Sequence, residues 1–251
     1  MPEWSGQIAV VTGGGGSIGA AIVAHLSDLG ARVAWSDIKA ESRRDARLRA
    51  DQIDVTNSNE VTGWIASVTR DWGTPTVGVI CAGVSKAGHL SDLSDAEWRE
   101  VMAVNLDGAF YTARALVNVM RAAGRGGRIV FVGSWAAHAP HPHIGAYSAS
   151  KAGLRGLCQT LALDHAEEGI LLNEVAPGIV DAGLSRELFR QDPKLASRTA
   201  AAIPIGRVAT PEDVARDVAH LVSPENQHIT GSVLVSDGGI GLASIMNPGR
   251  T

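Results

Sequence analysis

Short runs of β-branched and aliphatic residues alternate along the chain with longer stretches whose apolar positions recur at helical spacing. The runs are Ile8-Ala9-Val10-Val11, Arg32-Val33-Ala34-Trp35, Val77-Gly78-Val79-Ile80, Arg128-Ile129-Val130-Phe131-Val132, Leu171-Leu172-Asn173-Glu174-Val175 and Val233-Leu234-Val235. The longer stretches are 18–29, 57–72, 95–120, 147–167 and 211–222. Strands that are apolar at nearly every position are buried on both faces, and strand–helix alternation winds them into a parallel sheet. The pattern predicts an α/β fold: a single doubly wound domain over 1–251, with a parallel sheet of about seven strands and helices on both faces. Helix starts are marked at Ser94-Asp95-Ala96-Glu97, which has capping-box spacing, and at Thr210-Pro211-Glu212-Asp213, with Pro at the first helical position. The alternation breaks at 181–205, after Pro177-Gly178, and a break of that length reads as a functional lid. The tail, 240–251, either covers a neighbouring subunit or frays.

Composition narrows the function classes. At 251 residues the chain buries a full core without disulfides or metal. Its net charge of −4 disfavours nucleic acid as a partner, because a protein that neutralises many phosphates is basic. The densest basic stretch, Arg43, Arg44, Arg47 and Arg49, is interrupted by Asp45 and Asp51 and reads as a solvated helix face. Cys81 and Cys158 fit no Cys-x-x-C spacing, so neither a structural disulfide nor a zinc site is expected. No signal peptide and no membrane-length apolar window is seen, which makes the cytoplasm the expected compartment and a membrane partner unexpected.

Glycine is unusually abundant, at 29 residues with no Gly-X-Y period. Five of these glycines fall in Thr12-Gly13-Gly14-Gly15-Gly16-Ser17-Ile18-Gly19, between a strand and a helix. Such a turn lets the backbone approach a pyrophosphate, and the helix N-terminus adds free N–H groups and partial positive charge. Alone, the stretch is equally a turn with no ligand. The context of strand, helix and then Asp37 at the end of the next strand favours a Rossmann-like dinucleotide site. A carboxylate at Asp37 accepts the ribose hydroxyls and repels a 2′-phosphate, so NAD(H) is expected over NADP(H). Lys39 and the arginines beyond it pull the other way.

The candidate for the chemistry is Tyr147-Ser148-Ala149-Ser150-Lys151, which taken alone reads more readily as a surface tyrosine and a surface lysine. With two tyrosines and four lysines, chance gives a Tyr-x-x-x-Lys roughly 0.03 times in a chain this long. At i, i+4 both side chains share a helix face. A free tyrosine, with a pKa near ~10, is a poor base at neutral pH, and a lysine ammonium alongside stabilises its phenolate. That suits proton transfer to or from a carbonyl/alcohol pair, which hydride transfer with a nicotinamide requires.

In order and spacing, Thr12 to Gly19, Asp37, Asn105, Ser134, Tyr147-x-x-x-Lys151, Pro177-Gly178 and Asp237-Gly238-Gly239 resemble the short-chain dehydrogenase/reductase family. The resemblance runs from Ile8 to Gly239, and it is the joint occurrence that makes it specific. It implies Tyr147 as the acid/base, and Lys151 binding the nicotinamide ribose and tuning Tyr147. It further implies Ser134 bonding the substrate oxygen and Asn105 holding a relay water. The cofactor would be held by Gly13, Gly16, Ser17, Ile18, Gly19, Asp37, Asp54, Val55, Cys81, Ala82, Gly83, Tyr147, Lys151, Pro177, Gly178 and Val180. It also implies a homotetramer or homodimer. Three positions depart from the family pattern: Ser17 stands for a glycine, Cys81 for the asparagine that braces the central sheet, and Ala182 for a threonine that contacts the cofactor.

Three of the eight histidines, His138, His141 and His143, lie between Ser134 and Tyr147. A histidine here either bonds a polar or anionic substrate or belongs to a solvent-facing or intersubunit loop. Metal binding is not expected, since no acidic ligand is near and prolines stiffen the loop. Trp135, His141, His143 and Leu184 are the candidate substrate contacts, and two arginines in the lid, Arg186 and Arg190, would suit a substrate with a polar end. The resulting expectation is an NAD(H)-dependent oxidoreductase interconverting a small secondary alcohol and a ketone. Its rivals are an NADPH-dependent 3-oxoacyl thioester reductase and a non-catalytic dinucleotide sensor.

Overall fold

The computed structural model describes residues 4–246, apart from the side chains of residues 184 and 244–246. In chain order the elements are β1 (Ile8–Thr12), α1 (Ser17–Asp28), β2 (Arg32–Asp37), β3 (Arg43–Arg44), β4 (Leu48–Gln52), α2 (Ser58–Trp72) and β5 (Val77–Ile80). There follow α3 (Asp95–Met102), α4 (Gly108–Ala122), β6 (Gly127–Val132), α5 (Gly145–His165), β7 (Ile170–Pro177), α6 (Gly183–Gln191), α7 (Pro193–Ala202), α8 (Pro211–Val222), β8 (Val233–Ser236) and α9 (Ile240–Met246). The strands form one sheet in the order β3-β4-β2-β1-β5-β6-β7-β8. Seven of them run parallel, and the eighth is β3, a two-residue antiparallel edge.

Period-two alternation along the strands splits the core into two layers. Ile8, Val10, Ile80, Ile129, Phe131 and Leu172 face α2, α4 and α5, where Ile65, Leu116 and Leu154 meet them. Ala9, Val11, Val79, Val130, Val132 and Val175 face α1 and α8, against Ile22, Leu26, Val214 and Val218. Both capping boxes form: Ser94 caps α3 with Glu97, and Thr210 caps α8 with Asp213.

Two expectations are corrected. The basic stretch is not a solvated helix face but the edge of the sheet. Arg49 is only 3% exposed, donating to Asp51 (2.6 Å), Asp71 (3.0 Å) and Ser67 (2.6 Å). The charges in β4 satisfy one another, so the strand is buried without being apolar. The 95–120 stretch is not one regular helix. A π-helical turn, Ala103–Asp107, separates α3 from α4, and an inserted π turn re-aims side chains at functional sites. The break at 181–205 is helical, built from α6 and α7, and the first part of the tail forms α9.

Candidate active site

The C-terminal ends of the parallel strands open on one large cleft of about 1230 Å³. This is where a doubly wound sheet binds ligands. At one end lies the glycine turn. Gly13 has φ +71°, and a Cβ there would stand 2.7 Å from the Ala82 Cα. A Cβ on Gly19 would stand 2.0 Å from the Gly13 carbonyl oxygen, so the helix seats directly on the turn. Gly16 caps α1 without any side-chain bond, and the first turn holds no acid. The leading N–H groups of a 12-residue helix thus lack a side-chain acceptor, which fits a dinucleotide pyrophosphate.

All sixteen sequence-assigned cofactor residues line this cleft, from Gly13 through Asp37, Asp54 and Val55 to Pro177, Gly178 and Val180. Across β1 and β5 the Thr12 hydroxyl accepts the Cys81 (3.2 Å) and Ala82 (3.4 Å) N–H groups. Burial pushes the Cys81 thiol up to about 11 against the opposing charge of Lys151, and burial pushes Cys158 up to about 12. Both are unreactive thiols at neutral pH. Among the described residues, no group of three or more His, Cys, Asp or Glu is placed to hold a metal ion.

The chemical residues converge from three elements. Ser134 follows β6, is 7% exposed, and accepts the Ala136 N–H (3.1 Å). Its own hydroxyl proton therefore stays available for another acceptor. Tyr147 and Lys151 stand one turn apart on α5. Lys151 is 4% exposed, donates to the Val132 carbonyl (2.7 Å), and lies 5.6 Å from the Tyr147 ring centroid.

Asn105 lies behind the cleft wall and not in it, at the π turn. Its side-chain amide donates to the Val84 carbonyl and to Ser150 Oγ, both at 2.9 Å, and accepts the Val84 N–H (2.8 Å). Ser150 in turn donates to the Tyr147 carbonyl (2.7 Å). Asn105 thus ties the loop after β5 to the first turn of α5. Both N–H donors of its amide are taken by these bonds.

The substrate assignments divide. Trp135 and His141 line the cleft, their rings in tilted contact, 4.2 Å between centroids and 53° between planes. His143 does not: it is exposed, with φ +68°, and its ring meets His89 at 4.4 Å. His138 points its Nδ1 toward Arg155 (3.4 Å), which is itself paired with the fully buried Glu174. The side chain of Leu184 lies outside the described residues. The expected lid arginines also turn away. Arg186 pairs with Asp181 and Arg190 with Glu187, and neither lines the cleft. The lid instead contributes Leu188 and Phe189, and with them Leu195 and Thr199, which the sequence alone did not single out.

The family model described as enoyl-(acyl carrier protein) reductase matches residues 13–241. The 2-(S)-hydroxypropyl-CoM dehydrogenase 3 of Xanthobacter autotrophicus is 33% identical over 93% of this chain and 96% of its own. The 3-oxoacyl-[acyl-carrier-protein] reductase of Vibrio cholerae is 31% identical over 94% of this chain and 97% of its own. Among solved structures, the aldohexose dehydrogenase of Thermoplasma acidophilum is similar at a TM-score of 0.89 and 30% identity, covering 96% of both chains.

Proposed function

The chain belongs to the short-chain dehydrogenase/reductase family, and we propose that it interconverts a secondary alcohol and a ketone with NAD(H), using Tyr147 as acid/base. The observation that carries this reading is the buried Lys151 ammonium, held on the Val132 carbonyl 5.6 Å from the Tyr147 ring, in the same cleft as the glycine turn.

The bound nicotinamide supplies the hydride in reduction and accepts it in oxidation. Tyr147 takes the substrate hydroxyl proton in oxidation and returns it in reduction. Lys151 stabilises negative charge on the phenol oxygen, and its two remaining N–H donors serve the ribose hydroxyls. Ser134 donates its free hydroxyl proton to the substrate oxygen and so fixes the reacting carbon. Asn105 and Ser150 set the height of Tyr147 by holding the first turn of α5 against the Val84 loop. Asn105 holds the water that relays the proton, as the family resemblance implies.

Asp37 at the end of β2, with no arginine among the described residues lining the cleft, supports NAD(H) over NADP(H). Membership of the family supports a homotetramer or homodimer. The similarity to the Vibrio cholerae reductase keeps an NADPH-dependent 3-oxoacyl thioester reductase as the second reading.

Absorbance at the NADH band, with a panel of secondary alcohols, sugars and cyclic ketones and with each cofactor in turn, separates the readings. The expected result is NAD(H)-linked turnover of alcohol or ketone substrates. Turnover confined to NADPH and 3-oxoacyl thioesters would establish the second reading. Cofactor binding with no turnover of any substrate would point to a sensor.

A further inference from the structure

Glu174 is a fully buried carboxylate in an apolar layer. Its partner in register on β6 is Phe131, and Leu172, two residues earlier on β7, belongs to the same core face. Both of its oxygens are filled by one side chain, Arg155 on α5, through Nε (2.9 Å) and Nη2 (3.0 Å). Stability alone does not account for such a pair. An apolar pair of similar volume is often as stable or more so, whereas loss of one partner leaves a buried charge.

Its place in the fold accounts for it better, because three segments that carry the site meet there. Arg155 stands one helical turn after Lys151 on α5. Glu174 packs against the backbone of Gly133, where its carboxylate leaves no room for a Cβ, and Gly133 directly precedes Ser134. The remaining Arg155 nitrogen, Nη1, reaches His138 Nδ1 (3.4 Å). A guanidinium has no acceptor, so Nδ1 accepts this bond and the ring proton sits on Nε2. His138 closes the short helical turn Trp135–Ala137 that begins at Ser134, its own N–H donating to the Trp135 carbonyl (3.0 Å). The guanidinium fork thus holds the segment around Ser134 at two points, at Gly133 through Glu174 and at the far end of the turn through His138. None of these three side chains lines the cleft.

We propose that Arg155 is a positioning residue: with Glu174 and His138 it fixes Ser134 relative to Tyr147 and Lys151, so that both hydroxyls meet the reacting oxygen in one geometry. The inference rests on the alcohol–ketone reading, in which Ser134 and Tyr147 share that oxygen. Breaking the link should therefore harm the substrate end of the cleft and spare the cofactor end.

The test uses the full chain and three variants: His138→Ala, the paired replacement Arg155→Met with Glu174→Leu, and all three substitutions together. His138 is exposed, so its truncation spares the core. The paired replacement leaves no lone buried charge and should fold. With the best substrate of the panel, His138→Ala should lower kcat/KM about 3- to 10-fold, the range of one lost hydrogen bond, and leave the NADH dissociation constant within about a factor of two. The paired replacement should lower kcat/KM by about 10-fold or more, again with NADH binding kept. The triple variant should be no worse than the paired one, since His138 then has no bond left to lose. Amide hydrogen exchange with NADH bound should be faster over residues 133–139 in every variant and unchanged over 12–19.

Wild-type kcat/KM and exchange in His138→Ala would overturn the proposal. So would a matching loss of NADH affinity, or a triple variant whose defect is the product of the two separate defects. Should the paired replacement fail to fold, His138→Ala decides alone. If the wild-type protein turns over no substrate of the panel, the redox reading fails, and the exchange difference still decides whether the link holds the Ser134 segment.

Discussion

The two ends of the cleft are built by different means. At the cofactor end the contacts come from strand ends, a glycine turn and a helix N-terminus, all packed to van der Waals limits. A Cβ added to Gly13, Gly15 or Gly19 would stand 3.0 Å or less from its nearest neighbour. At the substrate end the wall is made of side chains from one loop and a two-helix lid, and it retains an unpartnered His141 nitrogen. At the first end the Thr12 hydroxyl ties β1 to the residues after β5, and the same contacts serve any substrate. The second end is lined by side chains of the loop after β6 and of the lid. The common chemistry of the fold is thus held by backbone, and discrimination is left to side chains that can change without disturbing the sheet.

Lys151 touches both ends, so its loss should do the most damage. Lys151→Met is expected to lower kcat/KM toward the upper part of the ~10²–10⁴-fold range for lost acid–base support, with weaker NADH binding in a fluorescence titration. A change in kcat/KM of less than 10-fold (about 1.4 kcal/mol) would uncouple the two ends.

Gly19→Ala attacks the cofactor end alone. Its Cβ has no room beside the Gly13 carbonyl, and overpacking of this kind costs about 1–3 kcal/mol. Thermal melts should show a lower Tm, and calorimetry a weaker NADH affinity. Asp37→Ala sharpens the account further: the ratio of kcat/KM for NAD+ over NADP+ should fall by about 10-fold, the equivalent of one charge-assisted contact. An unchanged ratio would detach Asp37 from cofactor choice.

The smallest effect is expected at α8, which packs on α1 behind the phosphate turn. The Arg207 guanidinium, helped by the Thr210 N–H and by Arg216, holds the Asp213 carboxyl well below the usual carboxylate range. Because the folded pKa is depressed, the contribution is present above the ordinary aspartate value, ~3.9, and is lost as pH falls through the folded value. Asp213→Asn should cost about 1 kcal/mol at pH 7. The Tm gap from the wild-type protein should narrow as the pH is taken below about 4.

Much of this was legible in the sequence where local geometry demands particular residues. A tight turn under a helix needs glycine, so residues 12–19 disclosed the phosphate site. Strands buried on both faces need unbroken apolar runs, so six of the parallel strands stood out. β4 did not, because Arg49 and Asp51 pair with each other and with Asp71 inside the fold, and a buried ion pair reads as a surface in sequence. The π turn at Asn105 was invisible because the apolar period of 95–120 continues across one extra residue. The three loop histidines look alike in sequence. Only the folded loop sends His138 to Arg155, His141 into the cleft and His143 to His89. The lid arginines misled for the same reason: their partners, Asp181 and Glu187, are set by helix geometry.

The central claim, that Tyr147 moves the proton in an alcohol–ketone exchange, is tested most directly by Tyr147→Phe, which removes one hydroxyl and keeps the ring beside Lys151. With the best substrate of the panel, kcat should fall by about 10²–10⁴-fold, while NADH binds within a factor of about two of the wild-type affinity. A variant that keeps wild-type kcat with NADH still bound would contradict the account.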